Sequence, residues 1–221
     1  MNETLNAGLE KLGLDFSSSQ KEQLEQYASC IIEFNKSYNL MKAETEDALF
    51  AGHILDSLAA AEHIKSLIET IQAEKNVSRL EIGDIGSGGG CPGIPLAAAF
   101  PEQQFTLVER MEKRCAFLSS TVEKLHLSNV TVACAQADAI KENSFDIEVF
   151  RAFHPFDKKN TRLLLRMLKK GGFLAAYKAR SEKIEAEMQA VSFLIPSYKK
   201  IQLHVPFLED HERNLVVIRK C

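Results

Sequence analysis

The 221-residue chain has no apolar stretch approaching 18 residues and no basic-then-apolar leader. A cytoplasmic protein without a membrane span is therefore expected. Five cysteines, at 30, 91, 115, 134 and 221, form no C-x-x-C pair and leave an odd count. Neither a disulfide framework nor a zinc knuckle is expected, and most of them read as small buried fillers, with Cys221 the exception. The six histidines lack H-x-x-x-H spacing, so no metal is expected. A surplus of positive charge is also missing: the formal net charge is −3. That excludes a free-standing, indiscriminate nucleic-acid binder. The total hides an asymmetry, because residues 1–79 hold 7 Lys/Arg against 13 Asp/Glu, residues 80–150 hold 5 against 10, and residues 151–221 hold 15 against 7.

What is present is an ordered alternation. Ser17 to Ser19 can cap a helix whose apolar positions Leu24, Tyr27, Ile31, Phe34 and Tyr38 step by three and four. A second helix reads from about His53 to Ile71, and residues 1–79 together form a helical segment that must dock its apolar stripes on a core. Residues 80–221 form the second unit. Strands are expected at 80–85, 105–109, 130–134, 146–150, 173–177, 199–205 and 214–219, and helices from 93 and over 112–126, 158–169 and 181–194. Such alternation gives an α/β fold, a seven-stranded doubly wound sheet. The loop of residues 207–212 is too short for a helical crossover, so the last strand should run antiparallel.

The most informative segment is Asp84-Ile-Gly-Ser-Gly-Gly-Gly-Cys-Pro-Gly93, which joins a strand, a glycine turn and a helix start. Glycines at 86, 88, 90 and 93 admit positive φ and close approach of a ligand. Gly88-x-Gly90-x-x-Gly93 also satisfies the dinucleotide pattern, with Glu109 about 20 residues on. Asp84 tilts the choice, since a carboxylate at the strand end repels a pyrophosphate and favours the ammonium and sulfonium of S-adenosylmethionine. Glu109 could accept both ribose hydroxyls and Asp138 the adenine amino group. Gly86, Glu109, Asp138, Arg151 and Lys178 follow strand C-termini, so one ligand crevice is expected there.

Further motifs resemble one family, the bacterial 16S rRNA guanine-N7 methyltransferases also called glucose-inhibited division protein B. The resemblance spans nearly the whole chain. It rests on Asn35-Lys-Ser-Tyr-Asn-Leu40, His53-Ile-Leu-Asp-Ser-Leu58, Gly86 through Pro95, Lys113-Arg114 with Phe117-Leu118, Arg151-Ala-Phe153 and Glu212 through Ile218. It implies a Rossmann-like class I methyltransferase fold, with Gly86, Cys91, Ala137, Asp138 and Arg151 lining an S-adenosylmethionine site. It also implies a guanine in the 530 loop of 16S rRNA as substrate, met in the context of the small ribosomal subunit. Two departures stand out: Cys91 replaces a larger apolar residue, and Lys178-Ala179 replaces a more usual Lys-Gly.

Guanine N7 carries a lone pair and no proton, so no general base is required. Arg151 is the residue expected nearest the chemistry, since its fork can bridge cofactor or RNA. Lys113, Arg114, Lys178 and Arg213 are candidate RNA contacts. His53, Asp56 and Ser57 share a helix face, but hydrolase triads converge from separate elements and there is no G-x-S-x-G elbow. Helix packing or support of the cofactor loop is the reading for these three. A nicotinamide-dependent oxidoreductase and a non-catalytic rRNA-binding protein are the alternatives. Asp84 and the lack of a second G-x-G-x-x-G speak against the first, and intact acids at 84, 109 and 138 against the second. Nothing in the sequence demands a partner copy, and a monomer is expected.

Overall fold

The computed structural model describes residues 2–221. Seven strands form one sheet in the order β3-β2-β1-β4-β5-β7-β6. Their ranges are β1 Glu81–Ile85, β2 Gln104–Glu109, β3 Val130–Cys134, β4 Phe145–Arg151, β5 Leu168–Lys178, β6 Lys199–Gln202 and β7 Asn214–Arg219. The first five run parallel, and β7 lies antiparallel between β5 and β6. The expected topology therefore holds, including the reversed last strand. The strand order reverses between β1 and β4, which makes their carboxyl ends the natural ligand crevice.

Helices α6 (Gly93–Ala99), α7 (Glu112–Lys124), α8 (Lys158–Met167) and α9 (Ser181–Ala190) cover the sheet. Ahead of it come α1 (Glu3–Lys11) and α2 (Ser18–Asn35), the latter opened by a capping box between Ser17 and Gln20. Leu5, Leu24, Tyr27 and Ile31 of these helices are buried in the same apolar cluster as Ile82, Leu107 and Val149 of the sheet. That shared burial fixes the N-terminal helices over the sheet's face. No helix among the described residues is long and apolar enough to cross a membrane.

Two expectations need correction. The helix read over 53–71 starts earlier and is interrupted: α3 (Glu46–Leu49) leads into a π-helical turn (Phe50–Leu55) and α4 (Asp56–Leu58), and after Ala59 and Ala60 comes α5 (Ala61–Lys75). Periodicity cannot register the turn because its apolar residues Phe50, Ile54 and Leu55 stay buried through the widened step. The cysteines also differ: the sulfurs of Cys115 and Cys134 are bonded, with Cα atoms 5.6 Å apart. Cys134 pairs with Glu109 in the parallel ladder, and α7 starts so soon after β2 that Cys115 returns over the end of β3. Cys30 is half-buried and Cys134 exposed, so only Cys91 and Cys115 are buried.

Candidate active site

The carboxyl edge of the sheet carries two adjoining clefts. The first, of about 440 Å³, is lined by Gly86, Val108, Glu109, Arg114, Ala135 and Ala137 among others. The second, of about 590 Å³, is lined by His53, Asp56, Arg151, Tyr177, Lys178, Arg213 and Asn214 among others. Ala152, Phe153 and His154 line both. The single crevice expected from topology is thus two chambers with a common wall. Ala152 holds a φ of 53°, a left-handed backbone that a residue with a Cβ seldom takes. That turn redirects the chain immediately after Arg151 and sets the Phe153 ring against Gly86, where a Cβ would stand 2.5 Å from Phe153 Cδ2.

The glycine turn is built by its own backbone. Gly86 and Ser87 donate to the Val108 carbonyl at 2.8 and 3.1 Å, with φ of +73° at Gly86 and +58° at Gly88. A Cβ at Gly88 would meet only the Gly86 carbonyl, at 3.9 Å, so the backbone there has open space beside it, although Gly88 is not in the lining of either cleft. Glu109 holds the turn from the next strand: Oε2 accepts from Gly88 N and Oε1 from the N–H groups of Arg110 and Met111, all at 2.8–2.9 Å. Arg114 Nη1 stands 3.9 Å from Glu109, and its Nε is buried with no hydrogen-bond partner. The chamber thus sets the Glu109 carboxylate and an open glycine backbone beside apolar Val108, Ala135 and Ala137, with Arg110, Arg114 and His154 also on its walls.

Several residues expected at the cofactor lie elsewhere. Asp84 is fully buried and reaches neither cleft; its Oδ2 accepts from Gly93 N at 2.9 Å, and its Oδ1 has no partner. A strand-end carboxylate can turn outward to a ligand or inward to the following helix, and here the N-terminus of α6 takes it. Burial raises its pKa to about 7 against the hydrogen bonds from Gly93 and Ser87. The same bond speaks against the dinucleotide alternative, because it places a buried carboxylate at the helix N-terminus where a pyrophosphate would sit. Cys91 is buried with its sulfur 3.2 Å from Tyr27 Oη, and Gly90 faces Ile94 and Leu118; neither lines a cleft. Asp138 is exposed on the short turn Ala137–Ala139, and only its neighbour Ala137 faces the chamber.

Arg151 ends β4 in the second chamber, and the π-helical turn holds it. Nη1 donates to Asp56 Oδ2 at 2.6 Å and to the Gly52 carbonyl at 3.2 Å, and Nη2 stands 3.0 Å from His53 Nδ1. His53 Nε2 lies 2.9 Å from the Lys42 carbonyl. The ring therefore donates from Nε2 and accepts at Nδ1, the neutral tautomer. Burial, reinforced by the Arg151 charge, lowers the His53 pKa from its usual value despite the Lys42 bond, which keeps that tautomer. Ser57 accepts the Tyr177 hydroxyl at its carbonyl, at 2.7 Å.

The candidate RNA contacts are mostly committed to partners inside the protein. Lys178 pairs with Glu187 at 2.7 Å and lies over the Phe156 ring, and Arg213 Nε donates to Asp56 Oδ1 at 2.9 Å. Arg114 is half-buried beside Glu109, and Lys113 is exposed over the Tyr38 ring at 4.5 Å. Sequence reasoning missed Asp56 and His53 as the residues that hold Arg151. The available signal was two polar residues three positions apart, His53 and Asp56, in a run whose Ile54, Leu55 and Leu58 the core needs.

The model of the rRNA small subunit methyltransferase G family matches residues 20–216 of the chain. Relatives named ribosomal RNA small subunit methyltransferase G include one from Treponema denticola, 34% identical over 99% of this chain and 94% of its own length. Another, from Neisseria meningitidis serogroup B, is 34% identical over 99% and 98%. Among solved structures, a predicted O-methyltransferase from Agrobacterium tumefaciens aligns with a TM-score of 0.58 at 19% identity, over 75% of this chain and 80% of that one. A tRNA (m1A58) methyltransferase from Aquifex aeolicus aligns at 0.55 with 15% identity, over 76% and 68%. The structural likenesses establish the methyltransferase fold, and by the sequence matches the chain belongs to the rRNA small subunit methyltransferase G family.

Proposed function

We propose that this enzyme transfers a methyl group from S-adenosylmethionine to N7 of a guanine in the 530 loop of 16S rRNA, on the small ribosomal subunit. The observation that carries this reading is the common wall Ala152–His154 between a chamber built on the glycine turn and Glu109 and a second chamber bearing Arg151. When bound, S-adenosylmethionine supplies the methyl group as an electrophile at its sulfonium centre. Gly86, Gly88, Glu109 and Ala137 would hold its nucleoside, with the exposed Asp138 carboxylate closing over the adenine edge. The buried Asp84 stiffens the turn beneath.

The substrate nitrogen has a lone pair and no proton to remove, so the residues need only bring it into line and tolerate charge arriving on the base. Arg151 serves that purpose. Its guanidinium is oriented by Asp56, Gly52 and His53, and it can donate to the acceptor edge of guanine next to N7. The half-buried Phe153, set between the chambers, offers an aromatic face on which a base can stack.

The test is methyl transfer from labelled S-adenosylmethionine to small subunits from a strain lacking this enzyme, followed by mapping of the modified nucleotide. Label on one guanine N7 in the 530 loop is expected, and label elsewhere would overturn the substrate assignment. In the same assay Arg151→Ala should abolish transfer with the fold intact, because Asp56 keeps Arg213 as a partner. Wild-type turnover by that variant would remove Arg151 from the mechanism.

A further inference from the structure

Of the cations first expected to meet RNA, Lys178 and Arg213 are paired with internal acids and Arg114 is half-buried beside Glu109, which leaves Lys113 exposed and calls for a further docking surface. Helix α8 offers it. Lys158, Lys159 and Arg162 are exposed, and among the described residues none of them pairs with a carboxylate. At 3.6 residues per turn, Lys158, Lys159, Arg162 and Arg166 fall within an arc of about 100°, on the side away from the buried Thr161, Leu164 and Met167. Asp157, the acid next to them in sequence, caps the helix, with its carboxylate accepting from Asn160 N and Nδ2, each at 2.7 Å.

The placement of this ridge follows from topology. Strand β4 ends at the carboxyl edge and α8 leads back toward the start of β5, so the first turn of α8 stands beside the two chambers. Arg166, two turns along, donates to the carbonyls of Ala137 and Asp138 at 3.2 and 3.0 Å. The row Lys158-Arg162-Arg166 is thereby tied to the turn that borders the nucleoside chamber. Lys158 and Lys159 occupy the first helical turn, where the helix dipole disfavours cations. Charge placed against the dipole, unpaired, beside the chambers of a protein with net charge −3, is complementary to a polyanion.

We propose that the exposed face of α8, through Lys158, Lys159 and Arg162, docks the phosphate backbone of the substrate rRNA and guides the target nucleotide into the Arg151 chamber. The proposal rests on the small-subunit rRNA being the substrate, and the experiment keeps the two apart. Four proteins are compared: wild type, Lys158→Glu with Arg162→Glu, Lys124→Glu with Lys170→Glu, and Arg151→Ala. Lys124 ends α7 and Lys170 lies near the start of β5, so the second pair makes the same charge change at the opposite edge of the sheet. Acidic residues near the start of α8 suit its dipole, and a melting curve confirms that the variant folds.

Binding to unmethylated small subunits is read by filter retention across a salt series, beside S-adenosylmethionine affinity and methyl-transfer rates. The α8 pair should bind subunits at least tenfold more weakly at about 0.1 M salt, with a double-logarithmic salt slope shallower by roughly 1.4–1.8 for two lost phosphate contacts. Its KM for subunits should rise with kcat within twofold, and its S-adenosylmethionine affinity should match wild type. Affinity and slope equal to wild type, or an equal loss in the opposite-edge pair, would overturn the surface. If wild type binds subunits through α8 but transfers no methyl group, the substrate reading falls and the surface stands. If wild type binds no subunits at all, both fall.

Discussion

Arg151 at the end of β4 donates from Nη1 to Asp56 Oδ2 at 2.6 Å, across 95 positions of sequence. The other oxygen of Asp56 accepts from Arg213 Nε at 2.9 Å, so one buried carboxylate serves two cations. Asp56→Asn keeps the shape and leaves both guanidinium groups short of a counter-charge. Breaking a buried pair in this way costs about 3 kcal/mol, or roughly 6–12 °C of melting temperature for a chain of this size. Methyl transfer should fall at least tenfold at temperatures where the variant remains folded. Full activity in a folded Asp56→Asn protein would show that Arg151 needs no such anchor.

Asp138 offers a cleaner separation of binding from stability. Its carboxylate is exposed and has no hydrogen bond or ion pair among the described residues, so the fold does not use it. Asp138→Ala should leave the melting temperature unchanged. A lost hydrogen bond to adenine amounts to about 1 kcal/mol, or roughly fivefold in S-adenosylmethionine affinity by calorimetry. Unchanged affinity would remove Asp138 from the site.

How much of this could be read in advance depended on whether a side chain's direction follows from its element. The ends of β1, β2 and β4 are legible from hydrophobic runs, and parallel pairing brings Gly86, Glu109 and Arg151 to one edge without further information. Asp84 was misread for the opposite reason. Its place at the end of β1 was right, but whether its carboxylate meets a ligand or Gly93 N is settled only by how α6 packs. The grip of Asp56 on Arg151 and the bond between Cys115 and Cys134 depend on pairings between elements, which spacing along the chain does not encode. Lys178 and Arg213 both line the second chamber, but their acidic partners lie on α9 and α4, which the sequence does not reveal.

Gly86 should resist any substitution. At φ +73° a side chain costs about 1–2 kcal/mol, and the added Cβ would press on Phe153 at 2.5 Å. Gly86→Ala is expected to melt roughly 2–8 °C lower and to push the Phe153 ring into the space between the chambers. S-adenosylmethionine affinity should fall at least tenfold, and Phe153→Ala in the same chain should restore part of it. If the second substitution restores nothing, the contact between Gly86 and Phe153 has no bearing on binding.

Glu148 lies in the middle of β4 with no exposed surface, and neither carboxylate oxygen has a hydrogen-bond partner. Burial raises its pKa well above the usual 4.5, opposed only by the more distant charges of Lys220 and Arg166. The folded protein therefore holds this proton at pH values where the unfolded chain has released it. The associated stability is complete below about pH 4.3 and is lost as pH rises through the folded pKa, by up to about 1.4 kcal/mol for each unit of pH in that window. Glu148→Gln keeps the shape and abolishes the titration. Thermal melts of both proteins from pH 4 to pH 8 should show the variant gaining on wild type as pH rises, with the smallest difference at pH 4. Asp84 titrates in both proteins and cancels from that difference, so melting curves that stay parallel over the whole range would mean that Glu148 is already ionised in the fold.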